Sequence, residues 1–200
     1  MDWQPVSDVP DCYTRPSCIS NKYLQEIAEL CKQEFTWIAD SKFQLSQDRA
    51  VAWFAECGCS YNYNHKRQPI PSSPSMDWFL SFTKHVVKAA QLEHIAFNSC
   101  NINWYKSGQN ALTWHQDDED LFRFSPQDVV PILSLSVGAP RNFLLRKIGE
   151  SKITSTPLNN GDLLFMGGLL QSSHRHKVSP SACEEWRLNF TWRVVVNPPS

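Results

Sequence analysis

Apolar residues follow two different spacings along this chain, and the change of spacing divides it into two parts. Residues 20–32 carry four apolar side chains at helical intervals behind Ser20, which can cap the first turn. A second run begins near Ser75 and places Phe79 and Phe82 on one side of a helix. We therefore expect two amphipathic helices in the N-terminal half.

From about Ile95 onward the spacing is that of β-strands. Short apolar or alternating runs are separated by Gly, Pro and Asn turns, and Asn159-Asn160-Gly161 is typical of a hairpin. Six or more such strands with long connections predict an α+β, mainly β fold: a jelly-roll (double-stranded β-helix) core with the N-terminal helices packed on one sheet. The runs are residues 95–105, 130–137, 142–147, 162–166, 173–178 and 188–196.

Composition narrows the class of protein without naming a partner. The 200 residues carry a net charge of −1 and are 42% hydrophobic, which excludes a polyelectrolyte tail and a disordered segment. One domain over 1–200 is expected, with helices and a substrate lid in 1–94 and the catalytic jelly roll in 95–197. No membrane span or leader is evident, so we expect an intracellular protein of the nucleus or cytoplasm. We also expect a monomer that has no membrane partner.

The cysteine pattern carries little chemistry. The chain has 7 cysteines, an odd number, and they show no paired spacing typical of a zinc site or a redox motif. This favours reduced thiols. Metal binding by Cys57 and Cys59 is the weaker alternative.

The first candidate metal ligands are His115 and Asp117, which would share one face of a strand. Alone this pair is weak, because composition supplies such a spacing about once in three chains of this kind. A second histidine site follows at His174 or His176, and periodicity does not choose between them. Two His and one carboxylate from separate strands form the facial triad of non-haem iron enzymes.

Residues 187–193 add a strand with one polar and one apolar face. Alternation places Arg187, Asn189, Thr191 and Arg193 together, opposite an apolar row. Two guanidinium groups facing the interior of a β-roll need buried anions, and a dicarboxylate suits them. The alternative is an edge strand whose polar face meets solvent.

These motifs, in this order, resemble the AlkB family of iron(II)- and 2-oxoglutarate-dependent dioxygenases. The resemblance covers about Tyr61 to Val196. It rests on Asn103-Trp104-Tyr105, His115-Gln116-Asp117, residues 134–143, residues 161–166, His176-Lys177-Val178-Ser179-Pro180 and residues 187–193.

The resemblance implies roles for individual residues. It makes His115, Asp117 and His176 the iron ligands, preferring His176 to His174 because the family's second His precedes a branched residue and a proline. Fe(II) is then the cofactor, with 2-oxoglutarate and O2 as co-substrates, and conversion of 2-oxoglutarate to succinate drives hydroxylation of an inert C–H bond. The residues it assigns to 2-oxoglutarate are Asn103, Tyr105, Arg187, Asn189, Thr191 and Arg193.

Two segments resemble the family's nucleic-acid repair branch: the Asp117-Asp118-Glu119 continuation and Gly138-Ala139-Pro140-Arg141. The implied activity is oxidative demethylation of N-methylated bases in DNA repair or RNA demethylation, with release of formaldehyde. A flipped base needs aromatic walls, which the family builds in a nucleotide-recognition lid. Core packing explains each aromatic equally well. The expected substrate contacts are Asp118, Glu119, Trp53, Phe54, Tyr61, Tyr63 and Arg141.

Departures from that branch bear on the substrate. The segment after the distal histidine is acidic at Glu184-Glu185, and Gln47-Asp48-Arg49 stands where the lid has a Pro-Arg pair. Single-stranded DNA or RNA is therefore favoured over duplex, with phosphate contacts from a local patch. The candidates for this patch are Arg141, Arg146, Lys147, Lys152, Arg175 and Lys177, or Lys66 and Arg67.

Two other hypotheses remain. The first is a 2-oxoglutarate-dependent hydroxylase or demethylase of protein side chains, motivated by the missing basic run. The second is a non-catalytic binding module of the same fold, which is disfavoured because every ligand position is retained.

Overall fold

The computed structural model describes residues 2–17, 19–40, 49–63, 66–70, 74–125 and 127–198, and only the backbone of 39–40, 62–63 and 66–68. No described helix is long and apolar enough to cross a membrane. The elements are β1 (Gln4–Pro5), β2 (Cys12–Arg15), α1 (Asn21–Glu34), β3 (Ile38–Asp40), β4 (Arg49–Ala55), β5 (Tyr61–Tyr63), β6 (Lys66–Gln68), α2 (Met76–Ala90), β7 (Ser99–Tyr105), β8 (Leu112–His115), a 3-10 turn (Asp120–Phe122), β9 (Ile132–Gly138), β10 (Arg141–Lys147), β11 (Thr154–Leu158), β12 (Leu163–Met166), α3 (Leu170–Ser173), β13 (His174–Val178) and β14 (Arg187–Arg193).

Two antiparallel sheets form the body of the protein. The large sheet has the order β1-β2-β12-β9-β14-β7-β4-β3, and the small sheet has the order β11-β10-β13-β8. Strands β5 and β6 form a separate two-stranded antiparallel sheet. The mainly β jelly roll of the sequence prediction is therefore confirmed.

Helices α1 and α2 pack against the outer face of the large sheet. Each begins at the predicted serine, because Ser20 accepts a hydrogen bond from the backbone N–H of Tyr23 and Ser75 accepts one from that of Trp78. The apolar core of this layer is formed by the inner faces of both helices and by alternate residues of the strands. The helices contribute Leu24, Ala28, Phe79 and Phe82, and the strands contribute Phe54, Ile102, Leu135, Phe190 and Trp192.

Strand β14 has the two faces that its alternation predicts. Phe190 and Trp192 belong to the helix-side core, whereas the alternate polar residues point between the sheets. A second core fills the space between the sheets with residues such as Trp53, Ile132, Phe143, Leu145 and Leu164. The polar row of β14 therefore lies in the interior, and the alternative of a solvent-facing edge strand is wrong.

The N-terminal half contributes more strands than the sequence pattern predicts. Strands β1 to β4 all belong to the large sheet, and β4 is paired with both β7 and β3. All seven residues of β4 are buried, so its sequence lacks the polar and apolar alternation that marks a half-exposed strand.

The predicted hairpin at Asn159-Asn160-Gly161 is wrong. The segment is a turn, with Gly161 at a φ of +82°, but the strands on either side belong to different sheets. It carries the chain from β11 in the small sheet to β12 in the large one. A turn signal identifies the reversal of the chain, but not whether the flanking strands pair.

A disulfide joins Cys57 and Cys59, contrary to the prediction of reduced thiols at these positions. The turn after β4 contains Gly58 at a φ of +67° and brings the two Cα atoms to 5.2 Å, a separation that a disulfide can span. The remaining described cysteines are thiols: Cys12, Cys31 and Cys100, which are buried, and Cys183, which is half-buried.

Candidate active site

The three predicted metal ligands meet between the two sheets. His115 at the end of β8 lies directly opposite His176 of β13, and Asp117 follows two residues after β8. The Nε2 atoms of both histidines lie 3.7 Å from carboxylate oxygens of Asp117. The ligand atoms of all three residues lie within 4.8 Å of one another, so one metal ion can reach each of them.

His174, the alternative left open by periodicity, belongs to another place. Its ring nitrogen Nδ1 lies 2.8 Å from the hydroxyl of Ser173. Its side chain lines a cavity with Asp8 and Lys147, away from Asp117. The structure therefore brings His176, and not His174, to the carboxylate.

Both histidines of the triad are prepared to offer a lone pair. Burial lowers the pKa of His115, and burial followed by the proximity of His115 lowers the pKa of His176 to about 3, so both rings are neutral near pH 7. Nδ1 of His115 lies 2.8 Å from the carbonyl oxygen of Thr113. Donation of the Nδ1 proton to that carbonyl leaves Nε2 as the ligand atom facing Asp117.

The carboxylate of Asp117 is held ionised in a buried position. Its Oδ2 lies 2.7 Å from Nη2 of Arg193. Burial by itself would raise the pKa of Asp117, but the charge of Arg193 outweighs it and lowers that pKa below its usual value. Gln171 accepts a hydrogen bond from the backbone N–H of Asp117, and its own carbonyl accepts one from the side chain of Gln116. The loop that carries the carboxylate is thereby fixed to α3.

A cavity extends from the triad along the large sheet. Its wall is formed by the polar row of β14, the facing row of β7 and apolar residues of the small sheet. Lining residues include Arg49, Tyr61, Asn101, Asn103, Tyr105, Ser134, Phe143, Met166, Asn189, Thr191 and Arg193.

Several polar atoms in and behind this wall have no hydrogen-bond partner among the described residues. They include Nε and Nη1 of Arg193, Nε and Nη1 of Arg187 and the hydroxyl of Tyr105. The guanidinium of Arg187 lies 5.4 Å from the centre of the Tyr105 ring and donates one hydrogen bond to Ser136. Burial lowers the pKa of Arg187 to about 10. Unsatisfied buried donors on two arginines fit a bound dicarboxylate.

The donor set therefore fits the two groups implied by the sequence. Two neutral imidazoles and one carboxylate suit Fe(II). The orphaned guanidinium and hydroxyl donors suit the carboxylates of 2-oxoglutarate. Of the six residues predicted for 2-oxoglutarate, five line the cavity, and Arg187 lies behind Tyr105.

The structure places some of the predicted substrate residues at the cavity and others elsewhere. Tyr61 lines the cavity, and its hydroxyl donates a hydrogen bond of 2.5 Å to Glu119. Burial and the nearby Asp117 raise the pKa of Glu119. Trp53 is fully buried behind Tyr61 at 4.6 Å between ring centres, and Asp118 forms a 3.4 Å ion pair with Arg123.

Two of the predicted substrate contacts are corrected. Phe54 points to the helix side of β4 and stacks on Phe79 at 5.0 Å, so it belongs to the apolar core. Arg141 is buried, and its guanidinium donates hydrogen bonds to the backbone carbonyls of Ser107 and Gly108. It clamps that loop and does not line the cavity. The side chain of Tyr63, together with Gln47 and Asp48, lies outside the described residues.

Sequence reasoning missed two residues of the site. Arg49 lines the cavity and donates a 2.6 Å hydrogen bond to Asn103, and its only sequence signal was its place in the altered lid motif. Gln171 supports the loop of Asp117 from α3. No spacing rule connects a glutamine to a carboxylate 54 residues earlier.

Comparison with known proteins supports the same conclusion. The family model described as the 2OG-Fe(II) oxygenase superfamily matches residues 11–193. The alpha-ketoglutarate-dependent dioxygenase alkB homolog 3 of Rattus norvegicus is 30% identical over 166 residues, which cover 76% of this chain and 52% of the relative. The DNA oxidative demethylase ALKBH2 of Arabidopsis thaliana is 30% identical over 124 residues, covering 50% of this chain and 38% of the relative. The chain thus spans about half the length, or less, of these curated relatives.

The fold has a close counterpart among solved structures. OsALKBH1 superimposes with a TM-score of 0.64 at 18% identity, covering 96% of this chain and 99% of that one. At this identity the likeness concerns the fold. The match over residues 11–193, the AlkB homologues and the His-Asp-His site agree that the chain belongs to the 2OG-Fe(II) oxygenase superfamily and, within it, to the AlkB family, whose cofactor is Fe(II) and whose co-substrates are 2-oxoglutarate and O2.

Proposed function

We propose that this protein is an oxidative demethylase that removes N-methyl groups from nucleic-acid bases, releasing formaldehyde while 2-oxoglutarate becomes succinate. One observation carries the proposal. His115, Asp117 and His176 converge at one end of a cavity that also contains the inward polar row of β14. The DNA oxidative demethylase activity named for the Arabidopsis thaliana relative supports the choice of substrate class.

In this proposal His115, Asp117 and His176 hold Fe(II). When bound, Fe(II) with 2-oxoglutarate and O2 supplies the oxidation of an inert C–H bond. Arg193 keeps Asp117 ionised and oriented through their 2.7 Å contact. Asn103, Tyr105, Arg187, Asn189, Thr191 and Arg193 bind 2-oxoglutarate and neutralise its carboxylates.

Tyr61 and Glu119 are the residues that we assign to the methylated base. Tyr61 is supported from behind by Trp53, so it offers a rigid aromatic wall to a base in the cavity. Glu119 is oriented by the Tyr61 hydroxyl, and a carboxyl group in that position can hydrogen-bond the polar edge of a base. Asp118, paired with Arg123 at the rim, is the weaker contact.

Single-stranded DNA or RNA is the substrate form that we propose, bound by a monomeric enzyme. The acidic Glu184-Glu185 segment follows the distal histidine motif, and both residues are exposed. A base that is already unpaired costs less to bring into a cavity than one in a duplex.

The test is turnover of defined oligonucleotides. Purified protein with Fe(II), ascorbate and 2-oxoglutarate is incubated with strands carrying 1-methyladenine, 3-methylcytosine or N6-methyladenine, as single-stranded DNA, duplex DNA and RNA. Mass spectrometry then follows loss of the methyl group from the base. We expect demethylation of at least one single-stranded substrate.

The matched controls are His115→Ala and His174→Ala. The first removes a half-buried imidazole of the triad, and the second removes a buried imidazole outside it. The first change should abolish demethylation and the second should leave it in place. Full activity of His115→Ala would contradict the proposal. Turnover of a methylated peptide, with none on the whole oligonucleotide panel, would decide for a protein-directed oxygenase.

A further inference from the structure

The outer face of the small sheet gathers cations on the strands that carry the histidines of the site. Along β13 the side chain of His176 points inward, so Arg175 and Lys177 point outward. Trp114 precedes His115 on β8 and lies on the same outward side as Lys177. Arg146 of β10 is the direct cross-strand partner of Arg175. We call these four residues, Trp114, Arg146, Arg175 and Lys177, the outer basic face.

The cations of this face have no acidic counterparts. Arg146 and Arg175 oppose each other across the ladder, an arrangement of like charges that destabilises a sheet. Neither of them, nor Lys177, forms an ion pair with an aspartate or glutamate in the part of the chain that the structure describes. Such an arrangement favours an anion that comes from outside the chain.

The rest of the basic patch expected from the sequence does not share this property. Lys147 pairs with Glu150 at 2.8 Å, and Lys152 pairs with Asp8 at 2.9 Å. Arg141 is buried and bonded to backbone carbonyls. Among the described side chains of that patch, which do not include those of Lys66 and Arg67, the cations without an acidic or backbone carbonyl partner are therefore those of the outer basic face.

Trp114 contacts two cations of the outer basic face and adds an aromatic surface to it. The guanidinium of Arg146 lies 4.6 Å from the centre of the indole ring, and Nζ of Lys177 lies 5.1 Å from it. A guanidinium stacked on a ring uses its flat face, so its N–H groups still point outward in its plane and can donate to phosphate oxygens. Aromatic rings interleaved with cations are typical of surfaces that bind single-stranded nucleic acid.

The outer basic face lies beside the loop that carries Asp117. Nε of Arg175 lies 3.4 Å from Oε1 of Gln116, the residue before Asp117. His115 and His176 lie on the other side of the same two strands. A strand with one base in the cavity needs to travel roughly 10 Å, the thickness of one layer, to reach the face. Phosphates of the same strand that flank the bound base can cover that distance.

We infer that the outer basic face binds the phosphate backbone of the strand whose methylated base occupies the cavity, and thereby selects extended single strands over isolated nucleotides. The inference rests on the proposed function for the identity of that strand. A polyanion is the occupant that fits two cations on one indole, Arg146 and Lys177, with a third, Arg175, directly across the ladder from Arg146. Binding at the outer basic face makes activity depend on the length of the substrate strand, whereas the cavity binds the reacting base.

The experiment compares two triple variants with the same change in net charge. The first, Arg146→Gln, Arg175→Gln, Lys177→Gln, removes the face. The second, Lys22→Gln, Lys84→Gln, Lys88→Gln, removes three exposed cations from α1 and α2 on the opposite side of the molecule. Fluorescence anisotropy measures binding of an unmethylated single-stranded oligonucleotide over a series of salt concentrations.

We expect the face variant to bind about tenfold or more weakly at low salt. The slope of log affinity against log salt should fall by about 2, since each lost phosphate contact on a single strand removes about 0.7. The helix variant should bind as the wild type does. The melting temperature of the face variant should stay the same or rise, because the opposed arginines are gone.

A second measurement separates this inference from the proposed function. Demethylation is followed on a long methylated strand and on the corresponding methylated nucleoside, which has no phosphate for the face to bind. The face variant should lose activity on the long strand and keep the wild-type rate on the nucleoside.

The outcomes then distinguish the two claims. If the wild type demethylates the long strand and the face variant matches it in binding and salt slope, the inference is overturned and the proposed function stands. If the wild type demethylates neither substrate while the face variant still loses binding, the proposed function is overturned and the binding face stands. A polyglutamate peptide that competes as well as the oligonucleotide would overturn the assignment to nucleic acid.

Discussion

The two faces of β14 use the same backbone for opposite purposes. Toward the helices, Phe190 and Trp192 are fully buried among aromatic neighbours, and the indole N–H of Trp192 is satisfied by Thr83. Toward the small sheet, Arg187 and Arg193 are equally buried, yet two donors on each have no partner in the described part of the chain. The helix side of β14 therefore stabilises the fold, whereas the cavity side keeps unsatisfied hydrogen-bond donors that a bound ligand can satisfy.

The largest effect on stability is expected from the helix-side face. Phe190→Ala removes a fully buried ring that meets Phe82 edge to face at 5.1 Å. We expect the free energy of unfolding to fall by about 3–5 kcal/mol, from lost transfer energy and the cavity left behind. Urea denaturation measures this. A loss below about 1 kcal/mol would show that the two faces do not differ as described.

The cavity side should respond in the opposite way. Arg187→Met removes a buried cation with two orphaned donors. We expect kcat/KM for 2-oxoglutarate to fall by roughly 30- to 150-fold, equivalent to about 2–3 kcal/mol. Without 2-oxoglutarate, the melting temperature should be unchanged or higher, because a poorly satisfied buried charge is gone. A drop in melting temperature with unchanged kinetics would assign Arg187 to the fold alone.

Removal of a single hydrogen bond tests how much stability depends on a partner for a buried donor on the helix-side face. Thr83→Val keeps the shape of the side chain but leaves the Trp192 indole N–H without its 2.9 Å partner. A buried donor without a partner costs about 1–3 kcal/mol of unfolding free energy. The control is Ser81→Ala at an exposed position of the same helix, which should be neutral or slightly stabilising. Equal stability of the two variants would contradict the role of the indole contact.

The smallest effect concerns the helix that covers this face. Ser20→Ala removes the cap that accepts the Tyr23 N–H. We expect about 1 kcal/mol less stability, with no change in kinetics, because the buried side chains of α1 pack into the core on the helix side of the large sheet. Thermal unfolding and turnover of 2-oxoglutarate are measured on the same sample. A change in turnover without a change in stability would contradict the separation of the two faces.

What could be predicted from the sequence follows from how regularly each element alternates. α1, α2 and β14 were predictable because one face of each is apolar. β4 was not, since both of its faces are buried: Arg49 faces the cavity, Phe54 faces the helices, and no polar residue marks a solvent side. The same fact explains why Phe54 was placed in the lid.

The site shows a similar division. The metal triad was predictable from chemistry, because few residue types bind iron and their order along the chain matches one family. The role of Arg141 was not, since only the folded loop at Ser107 and Gly108 brings carbonyl oxygens to its guanidinium. Gln171 was also beyond prediction, because a glutamine is common and its contact with Asp117 depends on tertiary structure alone.

The pairing of His115 with His176 gives β8 an unusual position. In the described part of the small sheet, β8 lies at the edge and has only β13 as a neighbour, and one rung of that ladder is the pair of histidines. Coordination by both would therefore fasten an edge strand to its neighbour. Susceptibility to proteases would then report whether iron is bound. The metal-free protein would be cleaved first near β8, and added metal would slow that cleavage before any catalysis occurs.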